Sequence, residues 1–347
     1  MAQRLAGRVA ALCSVALVNW ISVTSILLSA GAAISVAAPP ALEPGRWIPV
    51  DDALGKFGRL AVDSSSHRLL AAHVNDDTAD FFDLDTNRLI ARVDVGPVVD
   101  LAADPKTGRY FASVQDDRRI AIVDANTFKE TGSIALPAET GAILFESKHR
   151  QIYVASDAGP ALWVVDPEAR KVVATIAVPL ESECIAWDSS ADRIYLTSSA
   201  TNQVSVIDTI TKSVVAHWPT APAVGPRGLA LDVDERCAFI AGDNGQLVVI
   251  KLKTGGVVAT VPIDSHTDQI AWDAGLRRIY CAAPSWITAV EYRDGRLVPL
   301  GKTYTAATAT NVAVDLRTHA VWSAFTDGED GYAKSWLPKQ PSRDRPE

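Results

Sequence analysis

The sequence predicts an all-β protein built from seven copies of one structural unit. Seven apolar runs each end in an acidic residue, and successive acids are 41, 42, 42, 44, 41 and 42 residues apart. Each copy contains four short runs typical of β-strands, and no stretch has the 3.6-residue periodicity of a helix. Four antiparallel strands repeated at a period of about 42 residues predict a seven-bladed β-propeller of four-stranded antiparallel blades.

The acid at the end of the first run defines the register of the copies. GRLAVD, CIAWD and QIAWD are examples of this run. The seven acids, called the anchor acids below, are Asp63, Asp104, Glu146, Asp188, Asp232, Asp273 and Asp315. Each precedes a short turn, and an acidic side chain at this position can accept hydrogen bonds from the backbone N–H groups of the turn. Because the acid recurs in every copy, we interpret it as structural rather than catalytic.

The remaining three runs of each copy complete a blade. The second run, such as RIYLTSS, is rich in β-branched and aromatic residues, as strands are. The fourth run is illustrated by VVATI at residues 172–176. The third run ends in an aspartate in four copies, at Asp83, Asp124, Asp166 and Asp208.

The last copy has material for only three strands. After its anchor acid come AVWSAF at residues 320–325 and YAKSWL at residues 332–337, followed by a polar tail. The segment RWIPV at residues 46–50 is predicted to supply the outer strand of this blade and so to close the ring without a free sheet edge. We assign residues 45–338 to the propeller, residues 38–44 to a linker and residues 339–347 to a disordered tail.

Residues 1–37 have the composition of an export signal. Arg4 and Arg8 precede a long uncharged run that ends in small residues, including Ser35 and Ala37. This pattern predicts a secretory signal peptide cleaved after Ala37, and therefore a periplasmic or secreted protein. The apolar run is also long enough to span a bilayer, so an uncleaved membrane anchor is the alternative.

Composition excludes several classes of protein. A formal net charge of −8 argues against nucleic-acid binding, which needs a basic surface. The cysteines, Cys13, Cys184, Cys237 and Cys281, are scattered and form no pattern typical of zinc ligands or a disulfide framework. Motifs for nucleotide binding, serine hydrolysis and zinc proteolysis are also absent from the sequence. We expect a monomer without a cofactor and without catalysis.

The stretch RIYLTSSATNQVSVIDTITKSVVA resembles the YVTN-type β-propeller repeat family. The residues that match the signature tetrapeptide are Tyr195-Leu196-Thr197-Ser198 and Tyr153-Val154-Ala155-Ser156, and both lack its terminal Asn. The resemblance covers roughly residues 45–338. It implies a scaffold of exported bacterial proteins, mostly without established catalysis, although the wider propeller group includes lactonases and metal-dependent hydrolases.

Candidate binding residues lie four to seven positions before the anchor acids, where the inner strands of a propeller begin at the mouth of its channel. They are Arg59, Asp100, Glu183, Arg227, His266, Asp268 and Asn311. Trp286, in a loop between a second and a third strand, is added because an exposed tryptophan there would provide a contact surface.

Three interpretations of this set stay open. In the first, Arg59 and Arg227 bind a small anionic or zwitterionic ligand, since the planar guanidinium suits carboxylates. In the second, Ca²⁺ is the candidate metal, and His266 is the general base of a lactonase-like hydrolase. Its oxygen ligands would be Asp100, Glu183, Asp268 and Asn311. In the third, these polar residues are merely typical of solvent-facing loops.

The loops between second and third strands are rich in acids. They contain Asp76-Asp77, Asp116-Asp117, Asp157, Asp243-Asn244-Gly245 and Asp327-Gly328-Glu329-Asp330. Turn chemistry favours these residue types. On the same face as the channel mouth, they would also attract cations or basic partners. The sequence therefore predicts a module that binds an unidentified ligand or protein at the channel mouth, with a metal-dependent hydrolase as the alternative.

Overall fold

In the computed structural model, residues 41–328 and 330–339 are described, and they form seven four-stranded antiparallel sheets. The inner strands of successive sheets contact one another around a ring, which confirms the predicted seven-bladed propeller. The predicted signal segment at residues 1–37 lies outside the described residues, as do residues 340–347 of the predicted tail. Among the described residues, no helix has the length and apolar character needed to cross a membrane.

The first six blades each use four consecutive strands, ordered from the channel outwards. Blade 1 contains β2 (Phe57–Asp63), β3 (Arg68–His73), β4 (Thr78–Asp83) and β5 (Arg88–Asp94). Blade 2 contains β6 (Val98–Asp104), β7 (Arg109–Val114), β8 (Arg119–Asp124) and β9 (Glu130–Ala135). Blade 3 contains β10 (Thr140–Glu146), β11 (Gln151–Ser156), β12 (Ala161–Asp166) and β13 (Lys171–Ala177).

The next three blades repeat this order. Blade 4 contains β14 (Ser182–Asp188), β15 (Arg193–Ser198), β16 (Gln203–Asp208) and β17 (Ser213–Pro219). Blade 5 contains β18 (Pro226–Asp232), β19 (Cys237–Gly242), β20 (Gln246–Lys251) and β21 (Val257–Pro262). Blade 6 contains β22 (Gln269–Asp273), β23 (Arg278–Ala283), β24 (Trp286–Arg293) and β25 (Arg296–Tyr304). A short 3₁₀ helix, Val74–Asp76, follows β3.

Blade 7 combines strands from both ends of the propeller, as the sequence predicts. It contains β26 (Ala313–Asp315), β27 (Ala320–Asp327), β28 (Asp330–Pro338) and, as its outer strand, β1 (Leu42–Val50). β1 pairs with β28 in register Trp47↔Lys334. The strand begins at Leu42, inside the stretch 38–44 that the sequence assigns to a linker, because the backbone of Glu43 still pairs with that of Leu337.

Each of the seven inner strands ends at its predicted anchor acid, and the acid caps the turn that follows. Oδ1 of Asp63 accepts a hydrogen bond from the backbone N–H of Ser65 at 3.0 Å, and Oδ1 of Asp188 accepts one from Ser190 at the same distance. The position seven residues after the anchor acid holds a large side chain that is at most 3% exposed, in the order Leu70, Phe111, Tyr153, Tyr195, Phe239, Tyr280 and Trp322. The repeat thus fixes both the turn and the core of each blade.

The anchor acids also link neighbouring blades, through the residue four positions later. That residue has positive φ in every blade: His67, Gly108, Arg150, Asp192, Arg236, Arg277 and His319. In five blades its cationic or imidazole side chain contacts the anchor acid of the preceding blade. The pairs are Arg150–Asp104, Arg236–Asp188, Arg277–Asp232, His319–Asp273 and His67–Asp315. A belt of ionic contacts therefore joins the blades at this face.

Two joints depart from this arrangement. Blade 2 has glycine at the linking position, and the hydroxyl of Tyr110 donates instead to Oδ2 of Asp63 at 3.2 Å. Between blades 3 and 4 the charges are exchanged. The linking residue of blade 4 is the acid Asp192, and its Oδ2 lies 2.7 Å from Lys148 Nζ of blade 3. Each joint still contains a direct polar contact.

The loops that precede the inner strands lie on the same face as the loops between second and third strands. Backbone hydrogen bonds connect the two sets, for example from Ser199 N to Glu181 O at 3.0 Å and from Asp243 N to Gly225 O at 3.0 Å. We call this the upper face. The lower face carries the anchor-acid turns and the turns between third and fourth strands.

Candidate functional site

The residues four positions before the anchor acids lie on or just before the inner strands, around the channel. In blade order these are Arg59, Asp100, Ala142, Cys184, Gly228, Gln269 and Asn311. Blades 3 to 5 therefore have small side chains at this position. At Gly228 even a Cβ atom would lie 2.8 Å from Ile270 Cγ2, so a larger residue would clash there.

Arg59 reaches across the channel from blade 1 to blade 4. Its Nη2 donates a hydrogen bond to the backbone oxygen of Glu183 at 2.7 Å. Burial alone would lower the pKa of this guanidinium. Acidic groups around it more than offset burial and raise the pKa above its usual value; they are Cys184, Asp268, Asp100 and Glu183. Arg59 is therefore a fixed cation inside the channel, with its charge already balanced by the protein.

Asp100 is buried beside this cation and joins blades 2 and 3. Its Oδ1 accepts from the backbone N–H of Leu101 at 2.8 Å, and its Oδ2 accepts from Ile143 at 3.0 Å. Burial raises the pKa of Asp100 to about 6, although Arg59 and the two N–H donors act in the opposite direction. The carboxylate is thus poised to take up a proton under mildly acidic conditions.

Two amide side chains at the inner strands bond to the backbone of other strands. Gln269 exchanges two hydrogen bonds with the backbone of Leu60, accepting from its N–H at 3.1 Å and donating to its oxygen at 2.8 Å. Asn311 does the same with Ala324, at 2.8 Å and 2.9 Å. These bonds commit the buried amide of Asn311 to the backbone of blade 7. Ligand binding by Asn311 stays a prediction.

Three of the predicted residues meet at the channel mouth. Arg227 Nη1 lies 3.6 Å from Glu183 Oε2, and Arg227 Nε lies 3.6 Å from Asp243 Oδ1. His266 Nδ1 lies 3.1 Å from the same oxygen of Asp243. The side chains of Arg227 and His266 are 41% and 70% exposed, so this network faces solvent.

Neighbouring loops extend this network over blades 4 to 6. The hydroxyl of Ser199 bridges Glu181 Oε2 and Glu183 Oε1, at 2.9 Å and 2.8 Å. Asn202 Oδ1 accepts from Gly225 N at 2.7 Å, which ties blade 4 to the entrance loop of blade 5. We call this continuous stretch the arc; it consists of Leu180, Glu181, Glu183, Val224, Arg227, Asp243 and His266.

Two apolar side chains of the arc are exposed. Leu180 is 52% exposed and Val224 is 51% exposed, each in the loop that precedes an inner strand. Both flank carboxylates, Glu181 in the first loop and Asp243 beside the second. Exposed apolar side chains beside charged groups occur on contact surfaces.

Asp268 and Trp286 lie outside the arc. Asp268 contributes to the field around Arg59, and its Oδ2 lies 3.5 Å from the hydroxyl of Thr310. Trp286 is half-buried at the outer part of blade 6. Its ring packs edge to face on Tyr304, with centroids 5.4 Å apart, and Lys302 Nζ lies 5.0 Å from its centroid. The structure therefore divides the predicted site into the buried channel, the arc and this aromatic corner.

The upper face carries a large excess of carboxylates. In the described loops and strand ends of this face they are Asp51, Asp52, Asp76, Asp77, Asp94, Asp116, Asp117, Glu139, Asp157, Glu181, Glu183, Asp243, Asp264, Asp268, Asp327 and Asp330. The basic side chains at the loops and strand ends of this face include Lys56, Arg118, Arg119 and Arg227, besides His266, and Arg92 and Lys302 pair with Asp76 and Asp264. Within the described part of the chain, no group of three or more His, Cys, Asp or Glu side chains could hold a metal ion.

Comparisons with known proteins support the fold. No family model and no curated protein matches the chain, so the resemblance to the YVTN-type family is not confirmed. Among solved structures, hydrazine synthase of Kuenenia stuttgartiensis matches with a TM-score of 0.72 and 14% identity, over 82% of this chain and 96% of that one. A chain of the mitotic checkpoint complex matches with a TM-score of 0.73 and 13% identity, over 96% and 100%.

A third similar structure is that of U3-55K, with a TM-score of 0.73 and 10% identity, over 85% of this chain and 100% of that one. At such low identities the likeness shows the propeller fold alone. The seven-bladed architecture is shared by these proteins, whereas the residues of the arc are properties of this chain.

Sequence reasoning missed the exposed apolar residues of the arc. Leu180 and Val224 precede inner strands, where an apolar residue is expected to belong to the core. The available signal was their position in turns that contain proline, at Pro179 and Pro222, rather than in an alternating strand. Glu181 and Asp243 were visible as acidic loop residues, but their contacts with Ser199 and Arg227 depend on how the loops of one blade pack together, which the sequence pattern does not give.

Proposed function

We propose that the protein is a binding scaffold whose upper face takes a basic segment of a partner protein at the arc. The observation that carries this proposal is the combination, on one exposed stretch, of Leu180 and Val224 with Glu181, Glu183 and Asp243. A partner segment with lysine or arginine next to apolar side chains would complement both properties. The β-propeller is commonly a protein-interaction scaffold, and two of the similar structures are a mitotic checkpoint complex and U3-55K.

The charge of the upper face supports a basic partner. Clustered carboxylates produce a negative potential that attracts cations and accelerates the encounter with basic surfaces. The two arginines of the site add little positive potential. Arg59 is balanced inside the channel, and Arg227 lies between Glu183 and Asp243. A small anionic ligand is therefore a weaker match to this face than a cationic group.

The apolar residues support a protein segment over a free cation. Removing exposed apolar surface from water contributes to affinity in protein complexes. Leu180 and Val224 provide such surface, while the surrounding carboxylates provide a polar rim. The proposed occupant is consequently a peptide segment rather than a lone metal ion or amine.

A peptide selection tests this proposal. We would display random peptides and select binders of the purified propeller, then compare wild type with the double variant Leu180→Ser/Val224→Ser. The matched control is Ile210→Ser/Val233→Ser, which removes two exposed apolar side chains from the lower face of the same two blades. We expect recovered peptides to be enriched in basic and apolar residues and to lose binding only to the upper-face variant.

Recovery of acidic peptides, or equal binding to both variants, would contradict the proposal. Recovery of no peptide, together with a thermal shift caused by a small amine or by Ca²⁺, would replace the peptide with that ligand. Circular dichroism of both variants checks that the fold is retained.

We also propose that the protein acts after export. The support is the sequence pattern of residues 1–37, with two arginines, an uncharged run and small residues at Ser35 and Ala37. Expression of the full chain followed by fractionation and N-terminal sequencing tests this. Export predicts a mature N-terminus at Ala38, whereas an intact N-terminus in the membrane fraction would establish the anchor instead.

A further inference from the structure

Blade 5 differs from four other blades in one cross-strand charge pair on the lower face. In these blades the first residue of the second strand pairs across the sheet with a residue at or near the end of the third strand. These pairs combine opposite charges in four blades: Arg68↔Asp83, Arg109↔Asp124, Arg193↔Asp208 and Arg278↔Glu291. In blade 5 the same pair is Cys237↔Lys251. A cysteine and a lysine have replaced the arginine and the acid.

The two side chains are in direct contact. Lys251 Nζ lies 3.1 Å from Cys237 Sγ, and the hydroxyl of Tyr292 lies 3.4 Å from the same sulfur. The amine also donates to the backbone oxygen of Glu235 at 3.4 Å. Cys237 is fully buried, whereas Lys251 is half-buried at the lower face. No carboxylate of the described residues lies within ion-pair distance of Lys251 Nζ, so the sulfur is its nearest acidic partner.

We propose that Cys237 and Lys251 form a redox modification site, in which a peroxide oxidises the thiolate and the lysine amine then captures the oxidised sulfur as a reversible sulfur–nitrogen bond. This site lies on the opposite face from the arc and does not depend on the function proposed there. The oxidant that the site requires is a small peroxide, such as hydrogen peroxide.

The contact prepares both groups for this chemistry. The Lys251 amine lies against the Cys237 sulfur, so the proton donor of the first step and the nucleophile of the second step are both in place. The hydrogen bond with Cys237 raises the pKa of Lys251, against the opposite effect of burial. Among the described residues, the sulfur of Cys184 contacts the backbone oxygen of Leu229 and lies near the Arg59 guanidinium, but neither Cys184 nor Cys281 has a lysine amine in contact. Burial raises the pKa of the Cys184 and Cys281 thiols, which keeps them protonated.

The reaction balances in two steps. First, the Cys237 thiolate attacks one oxygen of hydrogen peroxide; an S–O bond forms, the O–O bond breaks, and the leaving hydroxide takes a proton from the Lys251 ammonium to give water. The products are a sulfenic acid and a neutral amine. Second, the amine nitrogen attacks the sulfur; an N–S bond forms, the S–O bond breaks, and a second water leaves. The protein loses two hydrogen atoms in total, and a thiol reductant restores them.

Trypsin digestion gives a direct readout of this bond. Trypsin cleaves after Arg236 and Lys251, so the reduced protein releases the peptide of residues 237–251. A modified Lys251 is no longer a cleavage site, and the next one is Lys253. After peroxide treatment of the folded protein we expect the peptide of residues 237–253 with two hydrogens fewer. Dithiothreitol should return the peptide of residues 237–251.

Two variants separate the steps. Lys251→Arg keeps the positive charge but removes the nucleophilic amine, so Cys237 should still be trapped by a sulfenic-acid reagent without forming the crosslinked peptide. Lys253→Arg is the matched control and should crosslink like wild type. A peroxide-treated wild type that yields only unmodified residues 237–251, or only sulfinic and sulfonic acid at Cys237, would overturn the proposal. Circular dichroism confirms that each variant is folded.

Discussion

Nη2 of Arg59 in blade 1 donates a hydrogen bond to the carbonyl oxygen of Glu183 in blade 4, 2.7 Å away across the channel. The contact connects inner strands that are three blades apart. It places one guanidinium among Asp100, Asp268 and Glu183, so the channel and the arc share a residue: the backbone of Glu183 accepts from Arg59, while its side chain contacts Arg227. Several consequences of this network can be measured.

Arg59→Ala should destabilise the propeller by on the order of 3 kcal/mol, because it leaves buried carboxylates without their cation. Urea unfolding of the protein at neutral pH measures this change in the free energy of unfolding. Lys56→Ala, in the exposed entrance loop of the same blade, is the control and should change stability by less than about 0.5 kcal/mol. Equal effects of the two substitutions would show that Arg59 does not organise the channel.

Asp100 should make stability fall as pH rises through the range between its ordinary and its folded pKa. The ordinary value is 3.8 and the folded value is about 6, so the folded protein binds the proton more tightly between these limits. Stability from this group is therefore present at low pH and is lost on deprotonation, with a span of roughly 3 kcal/mol. Asp100→Asn should lack this slope, so the difference in the free energy of unfolding between wild type and the variant should change across this pH range. Parallel profiles would contradict the assignment.

His67 should contribute with a different pH dependence. Burial lowers the pKa of its imidazole, but hydrogen bonds from the ring to Asp315 and Asp85 outweigh burial and raise the pKa above 6.5. Stability from the charged ring is fully present below about pH 6.5 and is lost as pH rises through the folded pKa.

His67→Gln should therefore cost more stability at about pH 5.5 than at about pH 8.5. The cost at the lower pH should be about 1–3 kcal/mol, because Asp315 is buried and loses its partner in the neighbouring blade. His217→Gln is the control, since the ring of His217 contacts Gln203 and Ser205 rather than carboxylates. A loss of stability that is larger at the higher pH would contradict the role of His67 in joining blade 1 to blade 7.

The anchor acids should matter more than the aspartates that end third strands. Asp188 is fully buried and contacts both its own turn and Arg236 of the next blade. Asp208 caps an exposed turn and pairs with Arg193 of its own blade at 2.7 Å. Asp188→Asn should cost about 2 kcal/mol, and Asp208→Asn less than about 1 kcal/mol. Thermal unfolding of both variants tests the order, and the reverse order would contradict an inter-blade role for Asp188.

The blades could be predicted from sequence because each strand has a local signal. Every inner strand ends at the acid that the spacing identifies, and Asp63 caps its turn as expected. The start of β1 was placed too late because Glu43, Pro44 and Gly45 have the composition of a linker. The pairing of Glu43 and Pro44 with β28 depends on a partner almost three hundred residues away, which local patterns do not contain.

The candidate site was only partly predictable. Sequence spacing placed Glu183, Arg227 and His266 near the mouth, and the structure brings them together with Asp243. The direction of a long side chain is set by the space available, so the path of Arg59 across the channel could not be derived from its spacing. The cationic and imidazole side chains four residues after the anchor acids can be read from the sequence. Their contacts with the anchor acids of the preceding blade could not be predicted, because these contacts form only when the blades are arranged in a ring.

The most direct test of the proposed function is the affinity of a selected basic peptide at two salt concentrations for matched charge variants. Glu181→Gln/Asp243→Asn removes two charges from the arc, and Asp234→Asn/Glu235→Gln removes two from the lower face of blade 5. We predict that the arc variant binds about tenfold more weakly, equivalent to about 1.4 kcal/mol, with a reduced salt dependence. The lower-face variant should match wild type. Equal affinity and equal salt dependence of all three proteins would contradict binding at the arc.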